Sequence, residues 1–470
     1  MAHYSPALLT DLYEVAMAQA YLAEGMTGEA VFSLFVRRLP KRRNYLLACG
    51  LEDVLSFLES FRFDAAALEY VESLGRFSSG FVRHLKDLRF TGDVFAVPEG
   101  TPVFANEPIL EVVAPIIEAQ IVETFVMNQV HLQTVLASKA SRIVEAAQGR
   151  QVVDFGLRRT HGIDAGVKGA RAFYIAGVDA TSNLAAGQAY GLRVSGTMAH
   201  SYIQAHDDEY EAFRAFTRQY PDTVLLVDTY DTLAGVQHVI DLAKALGEDF
   251  HVSAIRLDSG DLLDLSRRAR QMLDRAELRA VGIFASSGLD EDAVVNLVSA
   301  GAPIDGFGIG TGMGVSPDAP SVDLAYKLVE YAGRGRIKLS AGKRLLPGRK
   351  QVLRIERNGI GERDVIARSD EQVQGRPLLR CVMSGGKRLG EGRATLDEAR
   401  RRRASELNSL PGRVRGLASA DPPYLVEISA RLAADAENLR RERHLRRRKG
   451  AGAREIPGAR RPLARRSPPP

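Results

Sequence analysis

The sequence has few cysteines and no long apolar run. Two cysteines in 470 residues, Cys49 and Cys381, exclude a disulfide framework and a cysteine-based metal cluster, and we expect both thiols to be reduced. No apolar run approaches the about 20 residues that span a bilayer. The first residues, MAHYSPALLTDLYE, lack the basic segment and apolar core of a secretory signal. These absences predict a cytoplasmic protein that makes no contact with a membrane.

Positive charge is concentrated at one end of the chain. Residues 431–470 contain thirteen Arg and Lys against four Asp and Glu, whereas the whole chain carries a net charge of only +5. The preceding part is therefore mildly acidic, and a nucleic-acid function would depend on this segment alone. Its Arg, Pro and Gly content predicts a disordered basic tail over 431–470 that activity does not require.

The rest of the chain is too long for one ordinary core and divides into three predicted parts. Residues 1–135 mix helical patterns with short β-rich runs separated by Gly and Pro, which predicts an N-terminal α+β domain. We assign residues 136–330 to a predicted catalytic domain. Residues 331–410 form a predicted C-terminal segment that packs back on the N-terminal domain.

The catalytic part repeats one pattern: a short apolar run, then Gly or polar residues, then a helical stretch. The seven runs are QVVDFGLRR, AFYIAGVDATSN, LRVSGTMAHS, TVLLVDTYDT, VSAIRLDSGD, AVGIFASSGLD and IDGFGIGTGMG. Strands that alternate with helices are parallel and joined by crossovers. The pattern therefore predicts a parallel, TIM-barrel-like α/β barrel of about seven strands, with an open doubly wound sheet as the alternative.

Residues capable of chemistry follow each of the first five runs. Catalytic groups of parallel barrels lie at the carboxyl ends of the strands, where the loops converge. The candidates are Phe155, Arg158, Arg159, Asp179, His200, Asp228, Asp231, Arg256 and Asp258. Structural explanations stay open for several, since the paired arginines could be solvated, DATSN could cap a helix, and a lone histidine is more often structural than catalytic.

Carboxylates follow the fourth and fifth runs. Asp228 and Asp231 at the end of a buried strand are costly unless a base, a cation or a metal pairs with them. An aspartate beside His200 could orient its imidazole as a nucleophile or base. Arg256 and Asp258 are two residues apart, so they share a strand face and could bind a ring substituent and a ribose hydroxyl.

Glycine and hydroxyl residues follow the sixth and seventh runs. They are Ser286, Ser287, Gly288, Gly310, Thr311 and Gly312. Barrels often bind phosphate with the loops after their last two strands, where glycine allows the backbone to approach the anion. Glycines also serve tight turns, but two such loops at the last two strand ends favour a phosphate site. The sequence contains neither a G-x-x-x-x-G-K-[ST] loop nor an H-E-x-x-H motif.

Short motifs follow one another over about residues 6–400: LLTDLYE, EPILEVVAP, EAQIVETFVMNQV, ASKASR, DFGLRRTHG, DATSN, GTMAHS, VDTYDT, RLDSGD, GIGTGM, KLSAGK and PGRKQV. With these motifs the chain resembles the nicotinate phosphoribosyltransferases, a type II phosphoribosyltransferase family. The resemblance implies that nicotinate attacks C1 of 5-phosphoribosyl diphosphate, giving nicotinate mononucleotide and diphosphate for NAD biosynthesis by the Preiss–Handler salvage route. It also implies coupling to ATP hydrolysis through a phosphohistidine, and Mg²⁺ that stabilises the charge of the diphosphate leaving group.

The resemblance assigns roles to the residues of these motifs. His200 would be phosphorylated, Asp228 and Asp231 would position it and magnesium, and Asp258 would hold the ribose. The substrate-binding residues would be Tyr13, Phe155, Arg158, Asp179, Arg256 and Arg37. The 5′-phosphate would lie on Ser286, Ser287, Gly288, Gly310, Thr311 and Gly312. Tyr13, which could also be a core aromatic residue, and Arg37 would come from a partner subunit, so a homodimer with shared active sites is implied.

Three alternatives remain at this stage. A nicotinamide-specific relative is hard to exclude by charge, because Asp179 could accept a hydrogen bond from an amide. A quinolinate-specific relative would need a basic cluster for two carboxylates, and the RLDSGD and GTMAHS motifs argue against it. In a different class, a barrel protein could bind nucleic acid through its basic tail, although we expect no nucleic-acid partner.

Overall fold

The computed structural model describes residues 5–339 and 345–452, without the side chains of 446–452. The chain begins with an α+β domain that leads into a long helix. Its elements are α1 (Leu12–Ala23), β1 (Glu29–Val36), β2 (Leu46–Leu47), α2 (Leu51–Ser60), α3 (Ala65–Ser73), α4 (Ser79–Asp87), β3 (Asp93–Ala96), β4 (Pro102–Val103), β5 (Pro108–Pro115), α5 (Ile116–Ile121) and α6 (Glu123–Ala147). Local capping fixes two of the helix starts, because Asp64 and Ser78 accept hydrogen bonds from the first turns of α3 and α4.

Strands and helices then alternate. The elements are β6 (Gln151–Asp154), α7 (Ile163–Ile175), β7 (Ala180–Thr181), α8 (Leu184–Tyr190), α9 (His200–Gln204), α10 (Glu209–Gln219), β8 (Val224–Leu226), α11 (Thr232–Leu246), β9 (Ala254–Leu257), α12 (Leu262–Arg275), β10 (Gly282–Ala285), α13 (Glu291–Ser299), β11 (Gly306–Ile309) and α14 (Thr311–Gly314). The six strands pair in parallel in the order β7-β6-β11-β10-β9-β8.

This strand order confirms the predicted parallel barrel architecture, in the form of a curled half-barrel. The first strand, β6, pairs with the last, β11, and every other strand pairs with its neighbour in the chain. An open doubly wound sheet would instead reverse its strand order at a central strand. The doubly wound alternative is therefore wrong.

The third predicted run does not form a strand. Val194 makes an isolated parallel bridge with Thr181, and Ser195 N–H donates to the carbonyl of Thr181 at 3.0 Å. After Gly196 the backbone leaves this ladder, and the Thr197 hydroxyl donates to the carbonyl of Val224. A side chain thus replaces a backbone ladder at the edge of β8, which leaves six strands where the sequence predicted about seven.

The C-terminal segment contributes strands to two sheets. Its elements are β12 (Leu324–Tyr331), β13 (Arg334–Gly335), β14 (Lys350–Arg357), β15 (Ile360–Arg368), β16 (Arg376–Pro377), β17 (Arg380–Ser384), β18 (Lys387–Arg388), α15 (Leu396–Asn408), α16 (Gly412–Arg415), β19 (Leu425–Ile428) and α17 (Ala430–Gly452). Strand β12 pairs with β1 and β17 pairs with β3, so both extend the N-terminal sheet. Strands β14, β15, β16 and β19 form a separate sheet, and most of the KLSAGK motif lies outside the described residues.

Helix α17 lies where the sequence predicted a disordered tail. Leu432 and Ala436 are one helical turn apart and buried, and Leu432 packs with Leu346 and Ile366. Asp435 accepts a hydrogen bond from Arg368 at 2.9 Å. These contacts fix the start of the helix, whereas the predicted disorder of residues 453–470 lies outside the described residues.

Two large hydrophobic cores lie in the described part of the chain. One fills the N-terminal domain, the other fills the half-barrel, and α6 contributes residues to both. Val126 and Val130 pack in the first core, whereas Ala140 and Ile143 pack in the second. Among the described residues, none of the helices has the length and apolar content to cross a bilayer.

Candidate active site

The carboxyl ends of the half-barrel strands surround a cleft of about 820 Å³. Five predicted site residues line it: Phe155, Arg158, His200, Arg256 and Asp258. The other lining residues are Leu157, Thr160, Gly162, Ile163, Ser182, Gly196, Thr197, Met198 and Ala199. The structure thus brings together residues that follow the first, third and fifth predicted runs.

A smaller cavity of about 220 Å³ adjoins the cleft. Its lining includes all six residues that the sequence predicted for phosphate: Ser286, Ser287, Gly288, Gly310, Thr311 and Gly312. We call it the phosphate cavity after that prediction. Phe155, Arg158 and Asp258 line both cavities. A ligand with a phosphate at one end and a ring at the other could therefore occupy both spaces at once.

The backbone of the two glycine loops suits an anion. Ser287 and Gly288 both have positive φ, 84° and 60°, and such turns can direct successive N–H groups to one side. The loops also touch each other, since a Cβ added to Gly312 would lie 2.5 Å from the carbonyl oxygen of Leu289. Glycine is required at this contact because any side chain would push the loops apart.

Two aspartates form a hydrogen-bonded chain from the fourth to the sixth strand end. Oδ2 of Asp228 accepts from the backbone N–H of Asp258 at 2.9 Å and from the Ser259 hydroxyl at 2.5 Å. Oδ1 of Asp258 accepts from the Ser286 hydroxyl. The buried Asp228 thereby fixes the loop that carries Asp258, and Asp258 in turn contacts the phosphate cavity.

His200 lies beside Asp258 rather than beside Asp228, the neighbour that the sequence favoured. Its Nε2 is 3.6 Å from Oδ2 of Asp258, and its Nδ1 is 3.1 Å from Oγ1 of Thr229. The reason for the different partner is that the Asp228 carboxylate turns toward the Asp258 loop and bonds there. The imidazole is therefore held by one hydroxyl and faces one carboxylate in the cleft.

Arg256 lines the cleft, and its guanidinium group lacks a full set of hydrogen-bond partners. Its Nε is buried without a hydrogen-bond partner, and burial lowers the pKa of its guanidinium, which Asp258 and Asp228 partly offset. Arg158 lies close enough to lower that pKa further. An arginine remains charged under such shifts, so the under-paired guanidinium of Arg256, with the exposed Arg158 nearby, favours an anionic ligand in the cleft.

Asp154 supports the cleft and was not among the predicted residues. Its carboxylate accepts from the Thr181 hydroxyl and from the Gly156 N–H, both at 2.7 Å, and burial raises its pKa. It thereby fixes the turn that carries Phe155, whose ring would collide at 2.5 Å with a Cβ on Gly308. The sequence offered one signal for Asp154: an acidic residue at the end of a buried strand, with no basic residue next to it in the DFG motif, needs hydrogen-bond partners in the fold.

Five predicted residues do not line either cavity: Asp228, whose contacts are given above, and four others. Asp179 precedes β7, at the opposite strand end, where it accepts from Val152 N–H and from Arg400. Asp231 caps α11 by accepting from Ala234 N–H at 2.8 Å. Tyr13 is exposed on α1, and Arg37 pairs with Asp323 at 2.7 Å. Asp179 thus lies at the amino end of its strand, away from both cavities, and its predicted role stays a prediction. The predicted roles of Tyr13 and Arg37 refer to a partner subunit and stay predictions too.

An α+β domain followed by a parallel half-barrel, with a glycine-lined cavity at its last two strand ends, is typical of barrel enzymes that act on phosphorylated substrates. Residues 8–131 match the family model of the nicotinate phosphoribosyltransferase N-terminal domain. Residues 136–327 match the model of the quinolinate phosphoribosyl transferase C-terminal domain.

Individual relatives of the chain point to the same family. The chain is 55% identical over 434 residues to nicotinate phosphoribosyltransferase pncB2 of Mycobacterium tuberculosis, covering 92% of this chain and 94% of the relative. It is 43% identical over 386 residues to the nicotinate phosphoribosyltransferase of Bacillus subtilis, covering 80% and 79%. The crystal structure of human nicotinic acid phosphoribosyltransferase superposes with a TM-score of 0.82 at 28% identity, covering 92% and 99%. The chain belongs to the nicotinate phosphoribosyltransferase family.

Proposed function

We propose that this protein joins nicotinate to 5-phosphoribosyl diphosphate and couples the reaction to ATP hydrolysis through a phosphohistidine at His200. The observation that carries the proposal is the meeting of the phosphate cavity and the arginine-bearing cleft at Asp258. The pyridine nitrogen attacks C1 of the ribose, the bond from C1 to the diphosphate oxygen breaks, and nicotinate mononucleotide and diphosphate leave. The product would feed NAD biosynthesis by the Preiss–Handler salvage route.

The cleft favours nicotinate over nicotinamide. Arg256 and Arg158 offer guanidinium groups to a carboxylate, which such groups bind more strongly than a neutral amide. Asp179, the acceptor expected for an amide, lies at the other end of the strand and bonds to Arg400. Nicotinamide would therefore enter a cationic cleft without the acceptor that the alternative requires.

The contacts of His200 support the phosphohistidine. With its proton on Nδ1 and donated to Thr229, the imidazole presents an unprotonated Nε2 in the cleft, on the side that faces Asp258. Nε2 can then attack the γ-phosphorus of ATP, forming the N–P bond while the bond to the ADP oxygen breaks. Water later cleaves the N–P bond and releases phosphate.

Magnesium remains part of the proposal, with Asp228 as its protein ligand. Oδ1 of Asp228 is buried without a hydrogen-bond partner, which fits a carboxylate that accepts a cation when the diphosphate binds. Asp231 fits less well because its carboxylate caps α11. Among the described residues, no group of three or more His, Cys, Asp or Glu side chains forms a metal site, so the substrate phosphates would supply most ligands. The ion would stabilise the charge of the departing diphosphate.

A second copy of the chain would complete the site. Tyr13 and Arg37 lie away from the cavities of their own chain. Exposed apolar side chains follow three strand ends: Leu157 and Ile163 after β6, Leu184 after β7 and Tyr230 after β8. Such a rim is expected where a partner covers the mouth. We therefore propose a homodimer in which Tyr13 stacks on the pyridine ring of the partner site.

The proposal is tested by one substrate comparison. Purified protein is incubated with 5-phosphoribosyl diphosphate and nicotinate, nicotinamide or quinolinate, each with and without MgATP. Nicotinate should give mononucleotide at the highest kcat/KM, and ATP should accelerate it. Preferred turnover of another pyridine, or nucleic-acid binding without turnover of nicotinate, would replace the proposed function.

A further inference from the structure

The ASKASR motif at residues 137–142 lies outside both cavities but contacts the loops that form the phosphate cavity. Lys139 and Arg142 stand on α6, and both side chains are buried. Arg43, from the N-terminal domain, is buried beside them. Their partners are Glu291 and Asp318, which follow the two glycine loops. We call these five residues the loop clamp.

One lysine bridges the two loops. Lys139 Nζ donates to the carboxylate of Glu291 and to Oδ1 of Asp318 at 2.8 Å. Glu291 is the first residue of α13, just after the loop of Ser286, Ser287 and Gly288. Asp318 follows α14, which begins in the second loop. The side chains of Lys139 and Glu291 are 2% and 3% exposed, so this half of the bridge is shielded from solvent, whereas Asp318 is 40% exposed.

Two arginines complete the loop clamp. Arg142 Nε donates to Oε1 of Glu291 at 3.0 Å, and Arg43 Nη1 lies 2.7 Å from Oδ2 of Asp318. The pKa of Glu291 is lowered although burial opposes this, and the pKa of Asp318 is lowered to about 2 by Arg43 and Lys139 against the effect of burial. Both carboxylates are therefore ionised, and three cations face two anions behind the phosphate cavity.

We propose that Lys139 is a positioning residue for the substrate phosphate: by bridging Glu291 and Asp318 it fixes the spacing of the two glycine loops. This proposal rests on the proposed function, in which those loops hold the 5′-phosphate. The spacing matters because the loops already touch at Gly312 and Leu289, and small displacements of a binding group are expensive in catalysis.

The test compares Lys139→Met with Arg42→Gln. Methionine keeps the length of the side chain and removes its charge, while Arg142 and Arg43 still pair with the carboxylates. Arg42 is a matched control, since it forms an exposed ion pair with Asp292, the residue next to Glu291 on α13. In Lys139→Met we expect the KM for 5-phosphoribosyl diphosphate to rise on the order of tenfold or more, with the KM for nicotinate little changed. The control should change neither value by more than about twofold.

A second readout separates positioning from folding. Inorganic phosphate is titrated into the full chain by calorimetry, and its Kd should rise in parallel with that KM. If Lys139→Met fails to fold, Asp318→Asn takes its place. It removes the charge of the second partner of Lys139 at a half-exposed position, and we expect the same rise in KM and Kd. Lys139→Arg should restore part of the binding.

The outcomes distinguish the two proposals. Normal turnover by the variants, with unchanged KM and unchanged phosphate Kd, would overturn the role of Lys139 and leave the proposed function intact. A wild-type protein that ignores 5-phosphoribosyl diphosphate, yet binds phosphate in a Lys139-dependent way, would overturn the proposed function and support the loop clamp. A lower melting temperature with no change in phosphate binding would show a purely structural contact.

Discussion

Nε2 of His200 lies 3.6 Å from Oδ2 of Asp258, while Oδ1 of the same carboxylate accepts a hydrogen bond from Ser286. Asp258 therefore contacts the residue proposed to carry the phosphoryl group and a residue of the phosphate cavity. A phosphoryl group on Nε2 would bring negative charge close to this carboxylate, in a cleft where the two side chains are 39% and 31% exposed. This arrangement offers a direct way for phosphorylation at His200 to change how the ribose phosphate is held.

Replacing the histidine tests the coupling. His200→Ala should lose ATP-coupled turnover and leave a slow reaction that ATP does not accelerate, because the acceptor of the γ-phosphoryl group is gone. The measurement is release of ADP and of nicotinate mononucleotide from one reaction. His206→Ala is the control, since His206 bonds to the carbonyl of Tyr202 outside the cleft. Unchanged ATP hydrolysis in His200→Ala would refute the phosphohistidine.

Arg256 should govern the choice of pyridine. Arg256→Gln removes a charged hydrogen-bond donor, which contributes about 1.5–3 kcal/mol, so the KM for nicotinate should rise about ten- to hundredfold. The KM for nicotinamide should change much less because its amide carries no charge. Steady-state kinetics with both pyridines measures the difference. Equal effects on the two substrates would show that Arg256 does not contact the carboxylate.

Asp179 should matter for stability and not for binding. Asp179→Asn weakens the contacts with Arg400 and Val152 at the amino end of β7, which should lower the free energy of unfolding by about 1–2 kcal/mol. The KM for nicotinate should stay within about twofold of the wild type, as for substitutions away from a site. Denaturant unfolding and steady-state kinetics check the two halves. A large rise in that KM would restore the substrate-binding role that the sequence suggested.

Two truncations should behave differently. A chain that ends at residue 445 keeps the contacts of Leu432 and Asp435, so its melting temperature and activity should match the full chain. A chain that ends at residue 429 exposes the core that Leu432 covers and should lose about 1.5–3 kcal/mol of stability. Activity below the melting temperature should persist in both. Equal melting temperatures would show that the start of α17 contributes nothing.

Much of the site could be predicted because it depends on local order in the chain. Each strand of a parallel barrel delivers its following residues to one face, so Arg256, Asp258 and the glycine loops could be placed from their runs alone. Gly312, which allows the loops to touch, and Gly288, which has a positive φ, also carry their own signal. Register was harder. Asp179 stands before its short strand rather than after it, because β7 contains only Ala180 and Thr181.

Partners set by tertiary packing could not be predicted. Because their runs are neighbours in the chain, the sequence predicted that Asp228 lies beside His200. The Asp228 carboxylate instead accepts hydrogen bonds from the Asp258 loop, and the imidazole of His200 hydrogen-bonds to Thr229. Helix α17 was missed because its start is stabilised by contacts with residues far away in the chain, such as Ile366. Composition describes only the charged remainder of that segment, so it predicted disorder.

ATP-coupled synthesis of nicotinate mononucleotide is best tested by following all products of one reaction. Protein, nicotinate, 5-phosphoribosyl diphosphate and MgATP are mixed, and nicotinate mononucleotide, diphosphate and ADP are quantified over time. We expect mononucleotide and diphosphate in equal amounts, with ADP formed alongside them and mononucleotide formation slowed when ATP is omitted. ADP released without any mononucleotide, or no mononucleotide from nicotinate under any condition, would contradict this expectation.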